Sequence, residues 1–211
     1  VAMVAATAFF FLESLRVQGQ FRTSLVVGGL ICLVAGVHYF YMREVWASTG
    51  SSPTVFRYVD WIVTVPLQMV EFYLILAAVT AVSLGVFWRL LIGTVVMVVA
   101  GYLGEAGFID TTIGFVVGMG GWAYILYEIF SGEASASASK AAPAVQSAFN
   151  TMKWIVTIGW AIYPLGYFLG YMTGGGADAD TLNIVYNVAD FINKIGFCLA
   201  IWAAATTQAD A

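Results

Sequence analysis

Seven runs of apolar residues divide the chain, and most of them are long enough to cross a lipid bilayer, which takes about 20 residues in a helix. Hydrophobic residues make up 61% of the sequence and charged residues only 9%. A soluble domain is excluded, because it needs a charged surface. The sequence therefore predicts an all-α membrane protein, a single domain over 1–211 folded as a bundle of seven transmembrane helices. We expect these helices near 2–16, 24–43, 55–79, 87–105, 111–130, 147–172 and 182–205.

The connections between these spans are short, with one exception. Residues 132–143 are small, polar and low in complexity, so we predict a mobile loop between the fifth and sixth spans. A glycine-rich turn is expected over 174–180, before the last span. The two cysteines, Cys32 and Cys198, fall inside spans and show neither a disulfide framework nor a metal-ligand spacing.

The distribution of charge around the spans predicts their orientation, because basic residues concentrate in cytoplasmic loops. Odd-numbered loops should face the cytoplasm, which leaves the amino terminus outside and makes the third helix run inward. The basic residues that flank the odd-numbered loops are Arg16, Arg22, Arg89, Lys140 and Lys153. The other loops hold Arg43, Glu44, Glu105, Asp110, Asp178 and Asp180.

The third span carries an aligned stripe of polar residues. At about 100° per residue, all five fall within a sector roughly 80° wide on one helix face. Lipid cannot satisfy such a stripe, so it must face the interior of the bundle. Its members are Arg57, Asp60, Thr64, Gln68 and Glu71.

Lys194 lies in the middle of the last span, with Asp190 one helical turn before it on the same face. An ammonium at membrane depth costs roughly 3 kcal/mol on insertion scales, so it is usually paired, neutralised or modified. Asp60 and Glu71 lie roughly 16 Å apart along the third helix, which suits a proton relay on either side of the amine. The alternative is that these residues only hold helices together through polar contacts.

The order of these motifs resembles the microbial rhodopsins along essentially the whole chain. The third span reads Arg-Tyr-Val-Asp-Trp-Ile-Val-Thr-Val-Pro-Leu-Gln-Met-Val-Glu over 57–71. Trp160-Ala-Ile-Tyr-Pro164 follows in the sixth span, and the Asp190/Lys194 pair in the seventh. Within that family, the amino-acid sequence of the third span is similar to that of the proteorhodopsins.

The resemblance implies a function for each polar residue of the third and last spans. It implies all-trans retinal bound as a Schiff base to Lys194, with Asp60 as primary counterion and proton acceptor. Asp190 is then the second counterion, Arg57 organises the counterion network, and Glu71 is the cytoplasmic proton donor. An Asp-Thr-Glu pattern completed by Thr64 is typical of outward proton pumps and differs from that of sodium and chloride pumps.

The resemblance also implies a retinal pocket and two tuning residues. Gln68 stands where blue-absorbing proteorhodopsins have glutamine, so we expect it to tune the colour, although it could instead only bond across to another helix. His38, the single histidine, is expected to hydrogen-bond the acceptor carboxyl and tune its pKa, whereas a histidine in a bundle can also be simply packed. The expected pocket residues are Trp61, Thr64, Met97, Trp122, Trp160, Tyr163, Pro164 and Tyr186.

These expectations favour a blue-absorbing, light-driven outward proton pump, an ion transporter and not an enzyme. The alternative is a photosensory rhodopsin that signals through a partner protein; Glu71 favours pumping, because sensors commonly lack a carboxyl donor. A receptor for a diffusible ligand would leave the carboxyl–lysine pattern unexplained. The resemblance implies the inner membrane of a bacterium, with retinal, protons and the bilayer as partners and a homo-oligomer of five or six copies. No nucleic-acid partner and no metal are expected.

Overall fold

The structure is a computed structural model that describes residues 1–174 and 179–209, and it contains helices and no strand over those residues. Six helical spans are long and apolar enough to cross a membrane, and a shorter apolar helix precedes them. The predicted all-α bundle of seven helices is therefore confirmed, and the chain is a multi-pass membrane protein. The α-helices are α1 Ala2–Glu13, α2 Gly19–Thr49, α3 Thr54–Ala77, α4 Leu84–Glu105, α5 Thr111–Ser131, α6 Glu133–Ala138, α7 Pro143–Trp154, α8 Ile162–Tyr167 and α9 Ala179–Ala209.

The observed helices extend beyond several of the predicted bounds. α2 begins at Gly19 and ends at Thr49, where the sequence suggested 24–43. Charged residues marked the predicted ends, but a helix continues past the bilayer surface until a breaker stops it. Here Gly50 ends α2 in the left-handed conformation, with φ of 64°. Residues 175–178, which include Asp178 and most of the turn expected before the last span, lie outside the described residues.

The prediction of a mobile loop over 132–143 is wrong, because this segment contains the short helix α6. Small and polar composition suggested a loop, yet alanine is also the best helix former. Ala134 and Ala138 are buried, and the Ala134 backbone N–H donates to Glu128 Oε1 at 3.0 Å. The segment therefore folds back onto the bundle.

An ion-pair cluster fixes α6 to α4 and α5. Arg89 donates from Nε to Glu128 Oε2 at 2.9 Å and from Nη2 to Glu133 Oε2 at 2.8 Å. The Glu128 side chain is 3% exposed, whereas those of Arg89 and Glu133 are 33% and 43% exposed. The Arg89–Glu128 half of the cluster is thus the better shielded from water, where pairing contributes more.

α4 and α5 pack backbone to backbone through glycines. A Cβ added at Gly114 would lie 2.8 Å from the Gly104 Cα, and one added at Gly121 would lie 2.8 Å from the Gly93 carbonyl oxygen. Any larger side chain would force the two helices apart. Small residues that allow such close approach are a common basis of helix packing in membranes.

The sixth span is interrupted where the other long spans are regular. It comprises α7, a π-helix over Ile155–Gly159, α8, and a second π-helix over Phe168–Met172. Pro164 adds to the irregularity, because it has no N–H to donate. Backbone carbonyls that a regular helix would use are therefore available to other groups.

α3 lies at the centre of the bundle and contacts α2, α4, α6, α7 and α9. Its Phe72 ring meets Phe149 and Phe197 edge to face, with centroids 5.2 and 5.7 Å away. This position gives the polar stripe of α3 neighbours on several sides, as its burial requires.

The Arg89 cluster predicts unequal effects of two similar substitutions. Glu128→Gln should lower the free energy of unfolding by about 2 kcal/mol, because a hydrogen bond to a charged group is worth roughly that much when it is shielded. Glu133→Gln is the matched control and should cost less than about 1 kcal/mol, as an exposed pair does. Reversible unfolding in mixed detergent measures both, and equal losses would contradict the assignment of the tighter contact to Glu128.

Candidate functional site

Two carboxylates enclose the ammonium group of Lys194 at the centre of the bundle. Lys194 Nζ lies 2.5 Å from Asp60 Oδ2 on α3 and 3.1 Å from Asp190 Oδ2 on its own helix, α9. The three side chains are 2%, 0% and 1% exposed, respectively. Buried ions are stable only with close pairing and further hydrogen bonds, so the surroundings of each carboxylate decide what the cluster can do.

Asp190 is fully hydrogen-bonded. Tyr39 Oη donates to its Oδ2 at 2.6 Å and Tyr163 Oη to its Oδ1 at 2.7 Å. Trp61 Nε1 adds a longer bond of 3.4 Å to Oδ2. Together with Lys194 these groups stabilise the negative charge, so Asp190 is suited to remain a fixed counterion.

Asp60 differs because one of its oxygens is free. Its Oδ2 contacts Lys194, while its Oδ1 is buried without a hydrogen-bond partner in the part of the chain that the structure describes. The Thr64 hydroxyl donates to the backbone carbonyl of Asp60 at 3.0 Å and not to the carboxylate. An ionised carboxylate oxygen with unused lone pairs can take a proton.

Arg57 lies one turn beyond Asp60 on α3 and is 2% exposed. Its Nη2 donates to Asn183 Oδ1 at 2.8 Å, and its guanidinium carbon lies 4.9 Å from the centroid of the Tyr186 ring. The guanidinium is a second buried positive charge in this part of the bundle, and among the described residues it forms no ion pair with either carboxylate.

Glu71 lies toward the other end of α3 and is completely buried. Neither carboxyl oxygen has a hydrogen-bond partner among the described residues, although the Ser24 hydroxyl on α2 is close by. An unpaired charge in such surroundings is far more costly than a neutral acid. Glu71 is thus placed to hold a proton at a distance from the lysine.

A cavity leads away from Lys194 and Asp190 between α3, α4, α5 and the sixth span. Seven of the eight expected pocket residues line it, namely Trp61, Met97, Trp122, Trp160, Tyr163, Pro164 and Tyr186. Thr64 is buried but is not among the lining residues. The resemblance also placed Tyr167 in this wall, whereas the sequence did not indicate Tyr58, Gly101, Gly118 and Met119, which line it too. The largely aromatic wall suits an elongated apolar group.

Gln68 lines the same cavity and is 1% exposed. Its Nε2 donates to the backbone carbonyl of Asn193 at 3.3 Å, one residue before Lys194. The amide therefore both faces the cavity and bonds across to α9; its effect on the colour stays a prediction.

His38 lies on α2 and is partly buried. Its Nδ1 is 2.8 Å from the Val34 carbonyl oxygen, within its own helix. Within the described residues it makes no hydrogen bond to Asp60, whose free oxygen has no partner. The structure thus places the imidazole near the cluster without joining it to the acceptor carboxyl.

Sequence reasoning missed three polar residues of the site: Tyr39, Asn183 and Asn193. The periodicity used for α3 could have found Asn183, since it stands seven residues before Asp190 and so falls on the same helix face. Asn193 is adjacent to Lys194 but lies about 100° around α9 from it, toward the Gly159 carbonyl, so the pattern of Asp190 and Lys194 did not mark it. Tyr39 carried no usable signal, because it is one of 11 tyrosines in the chain.

The cluster can perform acid–base chemistry at one buried nitrogen. A proton leaving the nitrogen can pass to Asp60, and Glu71 can supply another from the opposite side along α3. Among the described residues, no three histidine, cysteine or carboxylate side chains lie close enough together to hold a metal ion.

The fold and the site together define a seven-helix membrane protein with a reactive lysine at its core. The chain belongs to the family of bacteriorhodopsin-like proteins, whose family model matches residues 1–208. It is 54% identical over 207 residues to the blue-light absorbing proteorhodopsin of Gamma-proteobacterium Hot 75m4, covering 98% of this chain and 82% of that relative. The green-light absorbing proteorhodopsin of Gamma-proteobacterium EBAC31A08 is 53% identical, with 98% and 83% covered.

A solved structure is similar over nearly the same length. The crystal structure of the blue light-absorbing proteorhodopsin from Med12 superposes with a TM-score of 0.84 at 53% identity, covering 98% of this chain and 94% of that one. The resemblance to microbial rhodopsins, and among them to the proteorhodopsins, that the sequence motifs predicted is therefore confirmed.

Proposed function

We propose that the chain is a blue-absorbing, light-driven outward proton pump that carries retinal on Lys194. One observation supports this most directly: Lys194 contacts an incompletely bonded carboxylate, Asp60, while an unpaired carboxyl, Glu71, lies farther along the same helix. The whole chain then serves as one rhodopsin domain. Membership of the bacteriorhodopsin-like family and the similarity to proteorhodopsins support the same function.

The residues of the cavity fit retinal. An amine that can bond to an aldehyde stands at one end, and flat rings such as Trp122 and Trp160 line the way from it. Asp60 and Asp190 would balance the positive charge that the nitrogen keeps when it is linked and protonated. Retinal, when bound, supplies the absorption of visible light and a change of shape at the nitrogen; we propose the all-trans isomer as the resting form.

The protein's own groups set the order of proton transfers. Asp60 takes the proton released at the Lys194 nitrogen, because its Oδ2 contacts that nitrogen and its Oδ1 has no partner among the described residues. Asp190 is the poorer acceptor, because its oxygens already accept three hydrogen bonds and pair with Lys194. Glu71 then returns a proton to the same nitrogen. Since the carboxyls lie on opposite sides of the nitrogen along α3, the net movement has one direction.

The distribution of basic residues among the loops supports an outward direction of proton movement. Arg16, Arg22 and Arg89 flank the loops on the side of Glu71, and basic loops mark the cytoplasmic face. We therefore propose a protein of the bacterial inner membrane with its amino terminus outside. The oligomer of five or six copies and the tuning of Asp60 by His38 stay predictions.

The photosensory alternative has less support. A sensor does not need a rapid supply of protons from the cytoplasm, yet this chain keeps a buried carboxyl at Glu71, whose burial is costly without a function. Light-driven movement of protons into or out of sealed vesicles separates the two functions.

The covalent linkage has a direct test. Lys194→Ala should give a helical protein that stays colourless when retinal is added, because no other amine reaches the cavity. Lys153→Ala is the control and should keep full colour, since Lys153 lies over the Phe130 ring, away from the site. Visible absorption and circular dichroism of both purified variants decide it; full colour in Lys194→Ala would disprove the linkage.

The acceptor and donor predictions separate two carboxyls of the same helix. Asp60→Asn should abolish transport and shift absorption to longer wavelength, because loss of the counter-charge destabilises the positive nitrogen in the dark. Glu71→Gln should keep the colour but slow reprotonation by about 10²-fold, the usual effect of losing an acid catalyst. Flash photolysis and a pH electrode on vesicles measure both.

Glu44→Gln, at an exposed carboxyl on α2, is the control and should change neither quantity. Identical behaviour of Asp60→Asn and Glu71→Gln would rule out separate acceptor and donor roles.

Blue absorption depends on Gln68 in this proposal. A fixed amide near the nitrogen stabilises a localised positive charge in the dark more than the delocalised charge after excitation, so Gln68→Leu should move the visible band to longer wavelength. Gln18→Leu, at an exposed position, should leave the band in place. Absorption spectra at equal retinal occupancy give the answer; an unshifted band would show that the amide serves only to bond α9.

A further inference from the structure

The π-helix over Ile155–Gly159 receives side-chain hydrogen bonds from two other helices. The Trp160 N–H donates to the Ile155 carbonyl at 3.1 Å, five residues back, which widens the turn. Trp122 Nε1 on α5 donates to the Val156 carbonyl at 3.1 Å, and Asn193 Nδ2 on α9 donates to the Gly159 carbonyl at 3.0 Å. The wide turn is therefore held from outside at two carbonyls.

Asn193 joins this turn to the lysine segment. It directly precedes Lys194, is 3% exposed, and has a second Nδ2 contact of 3.3 Å with Tyr163 Oη. Its own backbone carbonyl accepts the bond from Gln68 on α3. One residue thus contacts α3 and the sixth span from the position next to the reactive lysine.

Gly159 and Asn193 fit each other closely. A Cβ at Gly159 would overlap the Asn193 side-chain oxygen, so any residue other than glycine must displace the amide. A buried amide that loses its partners costs free energy. The absence of a side chain at Gly159 is therefore what allows the bond.

The contact extends into the counterion network and the cavity wall. Tyr163, which Asn193 contacts, also donates to Asp190 at 2.7 Å. Trp160 follows Gly159 directly and lines the cavity. Moving the wide turn relative to α9 must therefore break the Asn193–Gly159 bond or shift Lys194 with it.

We propose that Asn193 is a positioning residue that latches the sixth span to the Lys194 segment in the resting state. The inference rests on the proposed function and deepens it by assigning the side chain that returns the sixth span to its resting place. The latch closes as the sixth span returns and so lowers the barrier to that movement, and its loss makes the return slower.

The first test needs no retinal. In the retinal-free protein, Asn193→Ala should raise hydrogen exchange of backbone amides over 155–163 about tenfold, as the loss of one or two hydrogen bonds permits. Exchange in α4 should not change. Asn150→Ala, at an exposed asparagine of α7, is the matched control and should behave as the unsubstituted chain. Unchanged exchange over 155–163 would overturn the latch.

A double-mutant cycle tests the pairing itself. Gly159→Ala should raise exchange about as much as Asn193→Ala, because the added Cβ displaces the amide. The double variant should be no worse than either single one, since the latch is already open. Additive effects would overturn the pairing. If Asn193→Ala does not fold, Asn193→Leu, which keeps the branched shape of the side chain without its hydrogen-bonding atoms, replaces it in every arm.

The functional arm uses the same variants with retinal bound. Recovery of the dark absorption after a flash should slow about tenfold in Asn193→Ala and in Gly159→Ala, without further slowing in the double variant. Recovery at the normal rate in both single variants would overturn the positioning role. If Lys194→Ala kept its colour, the proposed function would fail while the exchange cycle would still decide whether the latch exists.

Discussion

An ammonium group inside a bilayer is tolerable only if the protein provides its counter-charges and the bonds that hold them. The arrangement around Lys194 meets this requirement with two carboxylates from two helices. The rest of the bundle follows from it: α3 must be central, its polar stripe must face inward, and α9 must present Asp190 one turn from the lysine. The two aspartates are chemically alike, and only their neighbours distinguish the fully bonded Asp190 from Asp60, whose Oδ1 has no partner among the described residues. The separate functions proposed for them rest on that difference.

Unsatisfied groups are concentrated on the line of the proposed proton path. Among the described residues, the buried side-chain atoms without a hydrogen-bond partner belong to Ser24, Arg57, Asp60 and Glu71. Stable interiors normally satisfy such groups. The unsatisfied groups lie along and beside α3, where the proposed function requires protons to be taken up and released, while Asp190 on the other side of the cluster is hydrogen-bonded.

The sequence predicts what repeats along the chain and misses what depends on distant contacts. Seven apolar runs and the α3 stripe are periodic signals, so the bundle and the placement of Asp60 and Glu71 could be read directly. Tyr39 bonds to Asp190 across 151 residues of sequence, and no local pattern marks that partner. α6 was missed for a related reason: its alanines form a helix, but what holds that helix is Glu128 and Arg89 on other elements.

The glycine contacts between α4 and α5 have a mechanical consequence. Backbones in direct contact leave no layer of side chains that could deform, so this pair forms the stiff side of the cavity. Another wall of the cavity is the sixth span, where the regular α-helical hydrogen bonding gives way to two π-helices. If strain arises at the centre of the bundle, α4 and α5 resist it, and the sixth span is the part that must change its conformation. The site at Lys194 therefore lies between a rigid pair of helices, α4 and α5, and a sixth span that can deform.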